Sequence, residues 1–137
     1  MSPEQKRLVK ETWLQVTPVA DAAALLFYER LFEIDPTTPA LFLAADLAEQ
    51  RRKLIQALTV LVQGLDHLEA LVPTLADLGR RHARYGVTDS QYDTVGAALL
   101  WTLEWGLRSA WTPAVKAAWS DTYGLVADVM RSAAAEA

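Results

Sequence analysis

An all-α fold is what the amino-acid sequence predicts, and three observations carry that reading. Apolar residues recur at helical spacing along nearly the whole chain, which is rich in Leu, Ala, Glu and Arg. Helix-start signatures recur between those stretches. No run of alternating β-branched residues survives as a strand candidate.

The elements follow in order. Ser2-Pro3-Glu4-Gln5 sets Ser at the N-cap, Pro at the first helical position and Gln at the third, a capping box that opens a helix over about 3–16. Thr17-Pro18 opens a second helix over about 19–34, and Asp35-Pro36 a short third one over about 36–42. A helix over about 47–64 comes next, then a short turn within 66–72 and a helix over about 74–85. Gly86 suits the position after that helix, and Thr88-Asp89-Ser90-Gln91 is a second capping box, opening a helix over about 89–109. Thr112-Pro113 opens the last, over about 113–134, before a small Ala-rich tail.

With 137 residues, of which 52% are hydrophobic, the chain is expected to form one domain over 1–137 with a sizeable core. Thirteen basic against 17 acidic residues leave a net charge of −4. No basic stripe is available for counterion release, so nucleic acid is not an expected partner. No apolar run approaches spanning length and the N-terminus lacks a signal pattern, so no membrane is expected and a cytoplasmic location is the default. Without cysteine there is no thiolate nucleophile, disulfide or iron–sulfur ligation. Two histidines, His67 and His82, cannot build a multi-histidine metal centre. Any metal must arrive inside a cofactor that needs a single protein ligand.

Polar residues that interrupt an apolar stripe are the candidates for function. Leu75, Leu78, His82 and Tyr85 lie at i, i+3, i+7 and i+10, which turns His82 inward while Arg80, Arg81 and Arg84 face solvent. Such a histidine is either a ligand or a core residue bonded to a backbone carbonyl. Gln50 is the polar member of Leu47, Gln50, Leu54, Leu58 and Leu61; it is either a pocket amide or a first-turn residue close to water. Tyr28, in the stripe Leu25, Tyr28 and Phe32, sends its hydroxyl either to a carbonyl or into a pocket. His67 sits among charges in a corner and reads as exposed. Trp13, Trp101, Trp105, Trp111 and Trp119 read mostly as packing, with Trp101 and Trp105 at the i, i+4 spacing of a core pair. Walker, G-x-S-x-G and H-E-x-x-H motifs are absent from the sequence.

Taken in order, Phe27-Tyr28-x-x-x-Phe32, Asp35-Pro36, Leu41-Phe42, Gln50-x-x-x-Leu54 and Leu78-Gly79-Arg80-Arg81-His82 resemble the globin family. Gln91-Tyr92-x-x-Val95-Gly96 and Ala118-Trp119-x-x-x-Tyr123-Gly124 extend the resemblance over essentially the whole chain. It is similar in particular to bacterial single-domain globins related to the haem domain of flavohaemoglobins, including the Hell's Gate type and thermoglobin-like members.

That resemblance implies seven to eight helices in a three-over-three arrangement around haem b. It implies His82 as the proximal ligand to iron, Phe42 packed on the haem face, and Tyr28 as distal hydrogen-bond donor. Gln50 would hold the distal position with Leu54 beside it, while Leu78, Val87 and Val95 would line the proximal side and Lys53 would meet a propionate. Tyr92 matches a tyrosine that backs the proximal histidine in flavohaemoglobins, but Ala134 stands where their glutamate belongs, and Glu136 is two residues off. The function implied is reversible binding of O2, with NO and CO as further small ligands. NO dioxygenation with an external reductase is the enzymatic alternative, and a haem-free regulatory module is a third.

Overall fold

In the computed structural model, residues 1–136 are described, and they are helical almost throughout, with no strand among them. Six α-helices carry the fold: α1 (Pro3–Val16), α2 (Ala20–Ile34), α3 (Leu47–Gln63), α4 (Leu68–Arg84), α5 (Asp89–Leu107) and α6 (Pro113–Ala135). Short 3-10 turns join them at Thr17–Val19, Thr38–Phe42, Leu65–His67 and Arg108–Ala110.

Both capping boxes form, at Ser2/Gln5 and Thr88/Gln91, so the first orphan N–H groups of α1 and α5 are bonded. Asp46 caps α3 through Ala48 N and Glu49 N, and Thr112 caps α6 through Val115 N.

The helix count differs from the seven to eight expected, for local reasons. The segment expected as a helix over 36–42 is a 3-10 turn at Thr38–Phe42. It is too short for α-helical nucleation, and Pro39 removes one of its donors. Further on, the turn expected within 66–72 and the helix expected from 74 are largely one helix. α4 starts at Leu68 and runs through Pro73. Proline there forfeits the bond to the Glu69 carbonyl, yet only one turn of helix precedes it, so the loss is tolerated.

The core forms where α1, α5 and α6 meet. Trp13 and Trp119 are buried with ring centroids 6.1 Å apart, and the Trp119 indole donates to Thr12 Oγ1 at 2.9 Å. α2 packs on α5, and α3 on α2 and α1. α4 rests chiefly on α6. The closest approach falls at Gly79, where an added Cβ would lie 2.4 Å from the Met130 carbonyl oxygen. Only a residue without a side chain allows α4 that close to α6.

α3 and α4 scarcely touch each other. They stand on different supports, with their half-buried apolar faces left without a mutual packing partner.

Candidate functional site

Most of the residues singled out from sequence lie on α3, α4 and α5 or on the turns beside them. Phe42, Gln50, Leu54, Leu78, His82, Val87 and Val95 are all half-buried. Phe42, Leu54 and Val95 pack on the main hydrophobic core, whereas Leu78 and Val87 pack on a second, smaller one around Tyr92, Ala127 and Met130. Each core therefore leaves apolar side chains only half covered.

On the α4 side, His82 Nδ1 lies 2.8 Å from the Leu78 carbonyl. A carbonyl only accepts, so Nδ1 carries the proton and Nε2 of the neutral ring keeps its lone pair. Burial pushes the imidazole below its ordinary range, which favours that neutral form. Nε2 has no protein partner among the described residues. The carbonyl partner expected of a core histidine is therefore present, and it leaves Nε2 with its lone pair.

On the α3 side, Tyr28 is buried in an aromatic cluster. Its ring meets Phe27 at 5.1 Å and Phe42 at 5.5 Å, both edge to face. The hydroxyl donates to the Gln50 backbone carbonyl at 3.4 Å, a long bond. Burial raises its pKa to about 12, so the phenol holds its proton at any physiological pH. Of the two alternatives for Tyr28, the carbonyl contact is the one present. The Gln50 amide makes no protein hydrogen bond among the described residues.

Some expectations are corrected. Leu25 is 45% exposed; α2 buries Ala23, Ala24, Phe27, Tyr28 and Leu31 instead, because α3 and α5 cover it from two sides. Leu47, at the first residue of α3, is 38% exposed, so that stripe begins effectively at Gln50. Tyr85 is 72% exposed, because α4 ends at Arg84 and the stripe ends with it. Trp101 and Trp105 are not core residues but lie on the outer face of α5, 37% exposed each. His67 is exposed, as read from its charged surroundings. Lys53 is exposed and has no ion-pair partner among the described residues.

On α5, Tyr92 is buried and its hydroxyl has no hydrogen-bond partner among the described residues. The Arg131 guanidinium covers that ring at 5.2 Å while pairing with Asp89 at 2.9 Å and Asp93 at 2.7 Å. Tyr123 donates to the Tyr92 backbone carbonyl at 2.6 Å, and its ring fills the space a side chain on Gly96 would need. Ala134 is half-buried near the end of α6, and Glu136 is exposed beyond it. Sequence reading missed the Arg131 clamp, whose only signal was a basic residue near the acidic start of α5 in space, not in sequence.

Elsewhere, no three His, Asp or Glu side chains among the described residues are grouped to hold a bare metal ion. No helix among them is long and apolar enough to cross a membrane.

The family profile described as Globin matches residues 25–130, a span from α2 to α6. Neuroglobins from Danio rerio, Chaenocephalus aceratus and Dissostichus mawsoni are each 27% identical, over 95% of this chain and 90% of the relative.

Proposed function

The chain belongs to the globin family, and from that premise we propose that it is a haem protein that reversibly binds O2, with NO and CO as further ligands. The observation that carries the reading is the state of His82: neutral, half-buried and oriented by the Leu78 carbonyl, with Nε2 unpartnered among the described residues. Such a donor would suit haem iron as its protein ligand, and a bound haem b would supply the binding chemistry for a small gaseous ligand. The half-buried faces of Phe42, Leu54, Leu78, Val87 and Val95 are suited to burying the macrocycle and keeping water out. Exposed Lys53 would serve a propionate.

Tyr28 supports oxygen over an uncharged ligand. Its phenol stays protonated and sits in a dry aromatic surround, where a donor bonded to a partly anionic acceptor contributes about 1.5–3 kcal/mol. Leaving the Gln50 carbonyl at 3.4 Å costs little. The Gln50 amide would add a second donor. Slow release from such a pocket favours storage, sensing or chemistry over transport.

Within the family, the Tyr28/Gln50 pair is the feature for which we favour a likeness to bacterial single-domain globins. The enzymatic alternative, NO dioxygenation with an external reductase, draws less support. The carboxylate that would back His82 is replaced by Ala134, and Glu136 is exposed.

The test is direct. Protein purified with or reconstituted with haem should show a Soret band, and His82→Ala should lose haem or hold it only with added imidazole. A His82→Ala protein with unchanged haem content and an unchanged ferrous spectrum would overturn the reading. His67→Ala should be neutral, because that side chain is exposed.

A further inference from the structure

From Thr94 to Leu107, α5 carries one charge, Glu104, and is otherwise apolar or small on every side. A helix apolar all round is normally covered all round. Here Ala98, Leu99, Thr102, Leu103 and Leu107 face the core, but the opposite stripe of Ala97, Trp101, Glu104 and Trp105 is exposed. Arg30 of α2 lies over the Trp101 ring at 5.1 Å and extends the patch across to that helix. Two tryptophans at i, i+4 on an outer face form a contiguous surface of the residue type most enriched where proteins bind each other.

The charges beside Trp105 indicate what covers it. Glu104 and Arg108 are four residues apart, the spacing at which a helix normally pairs opposite charges. They do not pair here, and neither has any ion-pair partner among the described residues. Arg108 closes α5 with φ +52°, a conformation rarely taken by a residue with a side chain, and the chain turns away before the pair can form. An exposed anion and an exposed cation, both without an ion-pair partner among the described residues, thus flank Trp105 in sequence at the end of α5. A surface with both signs in that order is complementary to itself under a two-fold rotation.

We propose that this face of α5 is a homodimer interface. Two copies would pack α5 against α5 in antiparallel, with Trp105 near the two-fold axis and Glu104 of each copy meeting Arg108 of the other. Trp101, held flat by Arg30, would complete the apolar centre on each side.

Sedimentation velocity on the full chain, from about 1 µM to about 1 mM, reads this directly. The expected result is a concentration-dependent species of twice the 15.1 kDa chain mass. Trp101→Ala with Trp105→Ala should abolish it while leaving the helical circular dichroism unchanged. Glu104→Arg and Arg108→Glu should each weaken association about ten-fold or more, and the two together should recover most of the loss. A monomer throughout the range overturns the proposal. So does a dimer that survives the tryptophan substitutions, or a charge swap that restores nothing.

Discussion

Gly79 and Met130 leave no space between them: a methyl group on Gly79 would lie 2.4 Å from the Met130 carbonyl oxygen and 2.7 Å from its Cα. Both obstructing atoms are backbone, so no side chain can rotate out of the way. Ala is the better helix former by about 1 kcal/mol, yet forcing α4 away from α6 costs about 1–3 kcal/mol. The steric effect should win, because His82 is carried one turn further along the same helix. Gly79→Ala should lower the thermal midpoint and speed haem transfer to an apoglobin acceptor. Unchanged haem transfer would mean that the contact supports α6 and not the ligand.

Tyr28→Phe keeps the ring contacts with Phe27 and Phe42 and removes only the hydroxyl. If that hydroxyl serves the ligand, O2 should dissociate about ten-fold faster or more, from a loss of about 1.5 kcal/mol. CO carries little charge, so its dissociation should barely change and serves as the internal control. Gln50→Leu should give the same pattern more weakly. Stopped-flow displacement of each gas separates the outcomes: equal effects on both gases would point to sterics or access.

Much of this arrangement was legible in the sequence because its signals are local. The capping boxes at Ser2 and Thr88 bond neighbours three residues away, and the Leu75, Leu78, His82 stripe needs only helical periodicity. The ordered globin landmarks then pointed to the family that the profile match shows. What stayed hidden depends on contacts distant in the chain. Period alone marks Trp101 and Trp105 as one face of α5, but cannot say which of two apolar faces meets the core. A proline at 73 is tolerated within the first turns of α4, so the helix starts at Leu68 and not near 74. Arg131 lies 39 residues from Tyr92 (131 − 92) and announces nothing until α5 and α6 pack.

Asp35 closes α2 and accepts from Thr37, while its other oxygen accepts from Thr94 of α5 at 3.0 Å. These bonds anchor the turn that leads to Phe42. The Thr37 hydroxyl and amide hold the carboxyl below its ordinary 3.8. A carboxyl depressed in the folded state contributes stability above the unfolded value, and loses it as pH falls through the folded one. Thermal midpoints of wild type and Asp35→Asn should therefore differ most near neutral pH and converge below 3.8. A gap that stays constant into acid would show that the amide replaces the carboxylate fully.

Tyr92 and Tyr123 should respond in opposite directions to loss of the same atom. The Tyr92 hydroxyl is buried with no partner, so it bears a desolvation cost without a compensating bond. Tyr92→Phe should then leave stability unchanged or raise it by up to about 1 kcal/mol. Tyr123 donates at 2.6 Å to the Tyr92 carbonyl in a part-buried bond. Tyr123→Phe removes that bond while the carbonyl keeps its helical partner, and should cost about 1 kcal/mol. Urea unfolding of the two variants, in the same haem state, measures the contrast. With Ala134 in the glutamate's place, the iron–histidine stretch of the ferrous protein should also fall below that of flavohaemoglobins, and Tyr92→Phe should leave it nearly unmoved. A large shift in that frequency on Tyr92→Phe would mean the hydroxyl finds His82 once haem is bound, and the proximal side would then be tuned by tyrosine alone.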